Sequence, residues 1–209
     1  MIRVLITDDH AIVRDGLRQI VGETEDISVA AEASDAGETL ARLGETAVDV
    51  IVLDLNLPDR HGLDLLLQLR SDYPKIPVLI LSVHREAAYA VRLLKAGAAG
   101  YIGKDSAREQ LVEGIRTVAR AEKYIAPPLA ASVAMHLVHD TDGPRHDRLS
   151  DREFQVMLMI AAGKPPRQIA DELSVSVKTI GAHRAHILQK MGLRNNAEIV
   201  QYVLSQKLM

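Results

Sequence analysis

Four short segments of this 209-residue chain end in polar groups that could share one chemical site. They are Thr7-Asp8-Asp9-His10, Leu53-Asp54-Leu55-Asn56-Leu57-Pro58, Leu81-Ser82-Val83-His84 and Tyr101-Ile102-Gly103-Lys104. Three carboxylates held close repel one another, and a bound cation relieves that repulsion. Hard oxygen donors suit Mg²⁺, which takes a few carboxylates, keeps some waters and accepts a phosphate. A carboxylate able to attack phosphorus, set beside a fixed ammonium, gives a phosphoryl-transfer site that forms an aspartyl phosphate. Asp54 is expected to be the nucleophile, because it closes the run expected to be central. Asp9, with Asp8 behind it through water, is expected to hold Mg²⁺ together with Asp54 and the backbone carbonyl of Asn56. Lys104 is expected to pair with the phosphoryl group and the Ser82 hydroxyl to donate to it. Each group alone has a plainer reading: an Asp after a strand is commonly a turn or cap residue.

These groups can meet only if the chain brings the ends of their segments together. Each follows a short run rich in Val, Ile and Leu, the pattern of a strand buried on both faces of a parallel sheet. Strands are expected near Ile2–Thr7, Ile27–Ala33, Val48–Leu53, Val78–Ser82 and Gly100–Ile102. Helices are expected near Ala11–Val21, Ala36–Leu43, Leu63–Tyr73, Ala87–Lys95 and Ala107–Arg120. Five such βα units predict a doubly wound α/β, flavodoxin-like domain over residues 1–121, with strand order 2-1-3-4-5. In that fold the carboxyl ends of the strands open into one crevice, where ligands bind.

Residues 122–147 are expected to form a connecting helix near Leu129–Val138 and a linker over Asp140–Asp147, which has no apolar residue to bury. Residues 148–209 predict a small all-α, four-helix domain. Ser150 and Glu153 form a capping box, and the first helix runs to Ala162. The others are expected over Arg167–Leu173, Val177–Met191 and Asn196 to about Lys207. A helix, the turn Ser174-Val175-Ser176 and a second helix make a helix-turn-helix, so Val177–Met191 should enter a DNA major groove. By periodicity Ile180, Ile187, Leu188 and Met191 face inward, and Lys178, Gly181, Ala182 and Ala185 face outward. Thr179, His183 and Arg184 flank that face. Its centre offers no side chain for a bidentate base contact, which points to readout by shape, water and thymine methyls. In the last helix Ala197, Val200, Val203 and Leu204 form an apolar stripe that is expected to make a dimer, although some of it must pack on the other three helices. His136, His139 and His146 lack a Cys, Asp or Glu at ligand spacing and are not expected to hold a metal.

Composition agrees with this division. The net charge of −3 divides unevenly: residues 148–209 carry nine Lys/Arg against five acids, and the rest carries 16 against 23. A basic module beside an acidic one suggests a nucleic-acid partner for the basic one. The chain has no cysteine, so no disulfide and no thiolate metal site can form, as suits a reducing cytoplasm. The start lacks a signal-peptide pattern, and no apolar run reaches the ~18 residues that a spanning helix needs, so no membrane partner is expected.

Residues 1 to about 120 resemble a CheY-like receiver domain: Asp8-Asp9, the Asp54 context, Ser82, Lys104 and the Ala96–Tyr101 approach to the last strand match. The remainder resembles a LuxR-type helix-turn-helix, and together they resemble response regulators of the NarL/FixJ class. The resemblance implies that a partner histidine kinase phosphorylates Asp54, and that dimerisation and DNA binding then change. Ser82 is expected to swing toward the phosphoryl group, leaving room for Tyr101 to rotate inward. Asn56 and His84, at the rim, are expected to set the lifetime of the phosphate. An aspartyl-phosphate hydrolase is the competing class, but such enzymes need an acid two residues after the nucleophile, and here that position is Asn56. A receiver that ignores phosphate is the third class, and the intact Asp9, Asp54, Ser82 and Lys104 argue against it.

Overall fold

The computed structural model describes residues 1–60, 62–83, 87–127, 129–131, 133, 145–173, 175–206 and 208. The chain forms two compact units, Met1–Met135 and His136–Met209.

The first unit is built on parallel strands β1 (Ile2–Thr7), β2 (Ile27–Ala33), β3 (Val50–Asp54), β4 (Val78–Ser82) and β5 (Gly100–Gly103). Every residue of β3 and β4 is buried, which is why their sequences are continuously apolar rather than alternating. Helices α1 (Ala11–Gly22), α2 (Ala36–Glu45), α3 (Gly62–Asp72), α4 (Ala87–Lys95) and α5 (Ala107–Ala119) connect them. The sheet order is the expected 2-1-3-4-5, and it makes β3 central. The register pairs Thr7 with Leu53, Asp54 with Leu81 and Ser82 with Gly103, so four strand ends lie along one edge. Beneath α1 and α5 the core is formed by Val4, Ile6, Val52, Leu79, Ile102, Leu111 and Ile115.

The sheet also has a sixth strand, β6 (Tyr124–Ile125), parallel to β5, where the sequence predicts the start of a connector. Gly100 permits the approach: a Cβ there would lie 2.7 Å from the Tyr124 carbonyl oxygen. Residues 127, 129–131 and 133 are helical, in keeping with a connecting helix, whose remainder lies outside the described residues.

The second unit contains α6 (Asp151–Ala161), α7 (Pro166–Glu172), α8 (Val177–Met191) and α9 (Asn196–Ser205). The capping box is present: Ser150 Oγ accepts from the Glu153 amide, and Glu153 Oε2 accepts from the Ser150 amide at 2.7 Å. Gly192 ends α8 in the left-handed region at φ 66°, a conformation open to glycine without strain. Phe154, Met157, Ile169, Ile180, Ile187, Met191, Ile199 and Val203 fill the core. The expected linker over Asp140–Asp147 is corrected at its end, because Arg145–Arg148 form a 3-10 turn. His146 within it is buried against the Phe154 ring and hydrogen-bonded to the Tyr202 hydroxyl at 3.0 Å. It is therefore part of this unit's core. His136 and His139 lie outside the described residues. Among the described residues no helix is long and apolar enough to cross a membrane.

Two glycines give opposite expectations. A Cβ on Gly62 would stand 2.4 Å from Leu55 Cα and 2.7 Å from the Asp54 carbonyl oxygen, so the backbone would have to move. Gly62→Ala should destabilise the first unit by about 1–3 kcal/mol or more. Gly16, inside α1, has open space where a Cβ would stand, with nothing within 4 Å, and Gly16→Ala should stabilise by about 0.5–1 kcal/mol. Chemical denaturation of both variants reads the difference, and equal effects would contradict the packing described.

Candidate functional site: an acidic pocket and a helix-turn-helix face

The pocket lies where β1, β3, β4 and β5 end. Asp54 closes β3 and is buried. Its Oδ1 accepts from the Leu55 amide at 2.7 Å, and its Oδ2 accepts from Lys104 Nζ at 2.7 Å. Lys104 opens a 3-10 turn (Lys104–Ser106) directly after β5, which aims its stem back across the strand ends. The same ammonium stands 2.6 Å from Asp8 Oδ2. Asp8 is as buried as Asp54, and its Oδ1 accepts from the His10 amide at 2.9 Å. Arg14 Nη1 donates to the Asp8 carbonyl oxygen at 2.6 Å, fixing the turn into α1. Asp9 is turned outward and meets His10 Nδ1 at 2.5 Å. Asp8, rather than Asp9, is thus the acid that shares Lys104 with Asp54.

The charges account for the direction of each titration. Burial pushes the Asp54 carboxyl up, and the neighbouring ammonium of Lys104 only partly cancels it. Burial alone would pull Lys104 down, but the charge and hydrogen bond of Asp54, with the nearby charge of Asp8, carry it above the ordinary lysine value. One ammonium between two buried carboxylates leaves the cluster net negative.

The donor set fits a hard divalent ion. Ligand atoms of Asp8, Asp9, His10 and Asp54 all lie within 4.8 Å of one another. Asp8 Oδ2 is buried and, although Lys104 is close, it makes no hydrogen bond of proper geometry. An oxygen of that kind gains from a cation. Ser82 is fully buried at the end of β4, and the Asn56 backbone hydrogen-bonds the Asp54 carboxylate. Tyr101 on β5 is already fully buried, which corrects the expectation that its ring starts outside and turns inward. His84 lies outside the described residues.

Two further contacts near the pocket join residues distant in sequence, and neither carries a local signal. Thr7 and Thr39 join by a buried hydroxyl–hydroxyl bond of 3.0 Å. Asp59, in the loop after Asp54, accepts from the amides of Ala36 and Gly37, each at 3.0 Å.

In the second unit, α8 follows α7 through a short turn that includes Val175 and Ser176; Ser174 lies outside the described residues. Ser176 Oγ accepts from the Thr179 amide at 3.0 Å and caps the helix. Lys178, Gly181, Ala182 and Ala185 are exposed, Thr179, His183 and Arg184 are half-buried, and Ile180, Ile187 and Met191 are buried. Leu188, expected inward, is only half-buried. Glu153 orients α8 from beneath: its Oε2 accepts from Lys190 Nζ at 2.6 Å, and its Oε1 is 3.5 Å from His186 Nδ1. Burial alone would raise Glu153, but Lys190 and the Ser150 amide hold it below the ordinary range. Arg184 Nε donates to Asn196 Oδ1 at 2.6 Å, which ties α8 to the start of α9. On α9, Val203 is fully buried, so it leaves the expected dimer stripe and belongs to the core. Leu204 is 62 % exposed, Ala197 is exposed and Val200 is half-buried.

A buried carboxylate tethered to a lysine at the switch point of a doubly wound sheet, followed by a helix-turn-helix, defines a receiver joined to a DNA reader. Residues 4–116 match the family model of the response regulator receiver domain, and residues 147–203 match that of bacterial regulatory proteins of the luxR family. The chain belongs to the response regulators with a LuxR-type DNA-binding domain, the NarL/FixJ type. It is 36% identical over 214 residues to the oxygen regulatory protein NreC of Staphylococcus haemolyticus, covering 99% of each chain. It is 35% identical over 214 residues, with the same coverage, to NreC of Staphylococcus carnosus. Among solved structures it is similar to the response regulator ChrA of a heme-sensing two-component system, with TM-score 0.54 and 31% identity over 100% of this chain and 98% of that one. A LuxR-family regulator from Aurantimonas sp. SI85-9A1 gives TM-score 0.62 and 34% identity over 66% of this chain and 98% of that one. The protein is a phosphorylation-controlled transcription regulator, of a family of DNA-binding proteins rather than enzymes.

The two neighbouring residues of α9 should behave differently. Val203→Glu places an unpaired charge in the core and should cost about 3 kcal/mol or more, unfolding the second unit. Leu204→Glu, on the surface, should change stability by no more than about 0.5 kcal/mol. Thermal melting of both variants checks this, and a folded Val203→Glu would contradict the packing of α9.

Proposed function

We propose that Asp54 is the phosphoacceptor, served by Mg²⁺, and that its modification controls a dimer bound to DNA. The observation that carries this reading is Lys104 Nζ, placed 2.7 Å from Asp54 Oδ2 and 2.6 Å from Asp8 Oδ2. Asp54 Oδ1 accepts from the Leu55 amide and Oδ2 from Lys104, and a carboxylate oxygen of Asp54 attacks phosphorus. The bond from phosphorus to the donor breaks, and its electron pair leaves with the donor, here the phosphohistidine of a sensor kinase. Lys104 then moves its contact from Oδ2 to a phosphoryl oxygen, and the Ser82 hydroxyl donates to another. Asp8, Asp9, Asp54 and the Asn56 carbonyl would hold Mg²⁺, which when bound would supply charge neutralisation at the phosphoryl oxygens. Asn56 stands where a hydrolase would carry its acid, which supports a switch rather than turnover of outside substrates.

Tyr101, buried on β5 opposite Ile80 and two register positions from Ser82 on β4, is the residue through which the change reaches the α4 surface. The receiver, which includes β6, is followed by a connector and then by the DNA-binding domain, which begins at the 3-10 turn Arg145–Arg148. Ala197, Val200 and Leu204 form the dimer face. Lys178, Thr179, Gly181, Ala182, His183, Arg184 and Ala185 face DNA, Lys178 at phosphate. The work of such a regulator places it in the cytoplasm, with DNA and the kinase as partners and no membrane.

Incubation with a small phosphodonor and Mg²⁺, followed by mass spectrometry, should label Asp54 alone. Labelling of Asp54→Asn, or labelling that survives chelation of Mg²⁺, would refute the assignment. On DNA, Lys178→Ala should weaken all sequences alike and lower the salt slope by about one. Gly181, which has nothing within 4 Å of a Cβ position, leaves the face flat, so Gly181→Ala should raise domain stability by about 1 kcal/mol while weakening DNA binding. Loss of one guanine preference only, in Lys178→Ala, would instead indicate direct base readout.

A further inference from the structure

The loop after Asp54 must hold the Asn56 carbonyl at the metal, yet a loop between a strand and a helix has little of its own to hold it. At its inner end the Gly62 amide donates to the Leu55 carbonyl oxygen at 2.8 Å. At its outer end both oxygens of Asp59 are engaged, Oδ1 by the Ala36 amide and Oδ2 by the Gly37 amide, each at 3.0 Å. These amides are among the donors that a helix start leaves without intrahelical partners. Asp35, the cap of α2, accepts from a different amide, that of Glu38. Asp59 therefore completes the cap of a helix 23 residues before it, and its charge faces the positive end of that helix.

The chain of contacts then returns to the pocket. Four residues beyond its cap, Thr39 donates to the Asp35 carbonyl oxygen at 2.7 Å and meets Thr7 Oγ1 at 3.0 Å. Thr7 precedes Asp8, which shares Lys104 with Asp54. The circuit runs from Asp54 through its loop, Asp59, α2, Thr39, Thr7, Asp8 and Lys104 back to Asp54.

We propose that Asp59 is a positioning residue for the metal site, because its bidentate clamp on the Ala36 and Gly37 amides fixes the loop that presents the Asn56 carbonyl. The inference rests on the Mg²⁺-dependent phosphoacceptor reading above. Asp59 touches no reacting atom. Burial alone would raise its carboxyl, and the backbone amides it meets hold it below the ordinary range, so it is a charged clamp.

The test is calorimetric titration of the full chain with Mg²⁺ alone, for the wild type, Asp59→Ala, Asp59→Asn and Asp35→Ala. Asp35→Ala removes a cap of α2 without touching the loop, and it controls for helix stability. Outer-shell partners commonly change metal affinity by 10–100-fold, so Asp59→Ala should weaken Mg²⁺ by about tenfold. Asp59→Asn keeps one acceptor and should fall between Asp59→Ala and the wild type. Asp35→Ala should stay within about twofold of the wild type while melting as low as Asp59→Ala. Mg²⁺ affinity within about twofold of the wild type in Asp59→Ala would overturn the proposal, as would equal weakening in Asp35→Ala. A wild type that binds no Mg²⁺ would instead overturn the reading on which the proposal rests.

Discussion

A single ammonium divides its charge between two buried carboxylates in this protein, and the receiver is arranged around that fact. Lys104 stands 2.7 Å from Asp54 and 2.6 Å from Asp8, where both acids are almost wholly removed from water. Two carboxylates facing each other in such a place would repel strongly, and leaving either unpaired would cost on the order of several kcal/mol. The lysine resolves the conflict incompletely, because one positive charge meets at least two negative ones. The remaining negative charge is what gives the pocket an appetite for a cation. In the proposed reaction the same ammonium would turn from the carboxylate to a phosphoryl oxygen.

Only one kind of scaffold brings these three residues together at low cost. Asp8, Asp54 and Lys104 are separated by roughly fifty residues each, and each lies at or just after the end of a strand. Parallel strands all point the same way, so their ends collect at one edge. The order that makes β3 central puts Asp54 between the other two. Burial of whole strands supplies the driving force, and the site uses only the residues just past it. In the DNA-binding unit a buried acid again does the orienting. Glu153 caps α6 and accepts from Lys190 of α8, so one carboxylate sets both a helix start and the pose of the groove-facing helix.

Much of this is legible in sequence for definite reasons. Val50–Asp54 and Val78–Ser82 are apolar up to their last residue, which only a strand covered on both faces requires. Ser150 with Glu153, and Gly192 after Met191, mark helix ends through purely local bonding. What is not legible depends on partners far away in the chain. Tyr124–Ile125 is too short to show a period, and it becomes a strand only because Gly100 admits it to the sheet edge. His146 lies in a polar run that reads as linker, yet its burial is set by Phe154 and by Tyr202, 56 residues later. Periodicity does not choose between Val203 and Leu204, which are adjacent on one helix; packing against the rest of the unit puts one inside and the other out. Asp59 reads as an ordinary turn residue, because nothing local reveals that its partners are the amides of α2.

Modification of Asp54, as proposed, should be felt at the DNA-facing helix. Select a binding site from a random DNA pool, then measure the affinity of the full chain for it with and without a small phosphodonor and Mg²⁺. Treated wild type should bind at least about tenfold more tightly, roughly 1.4 kcal/mol, and treated Asp54→Asn should not change. Equal affinity with and without phosphodonor, or the same gain in Asp54→Asn, would contradict this expectation.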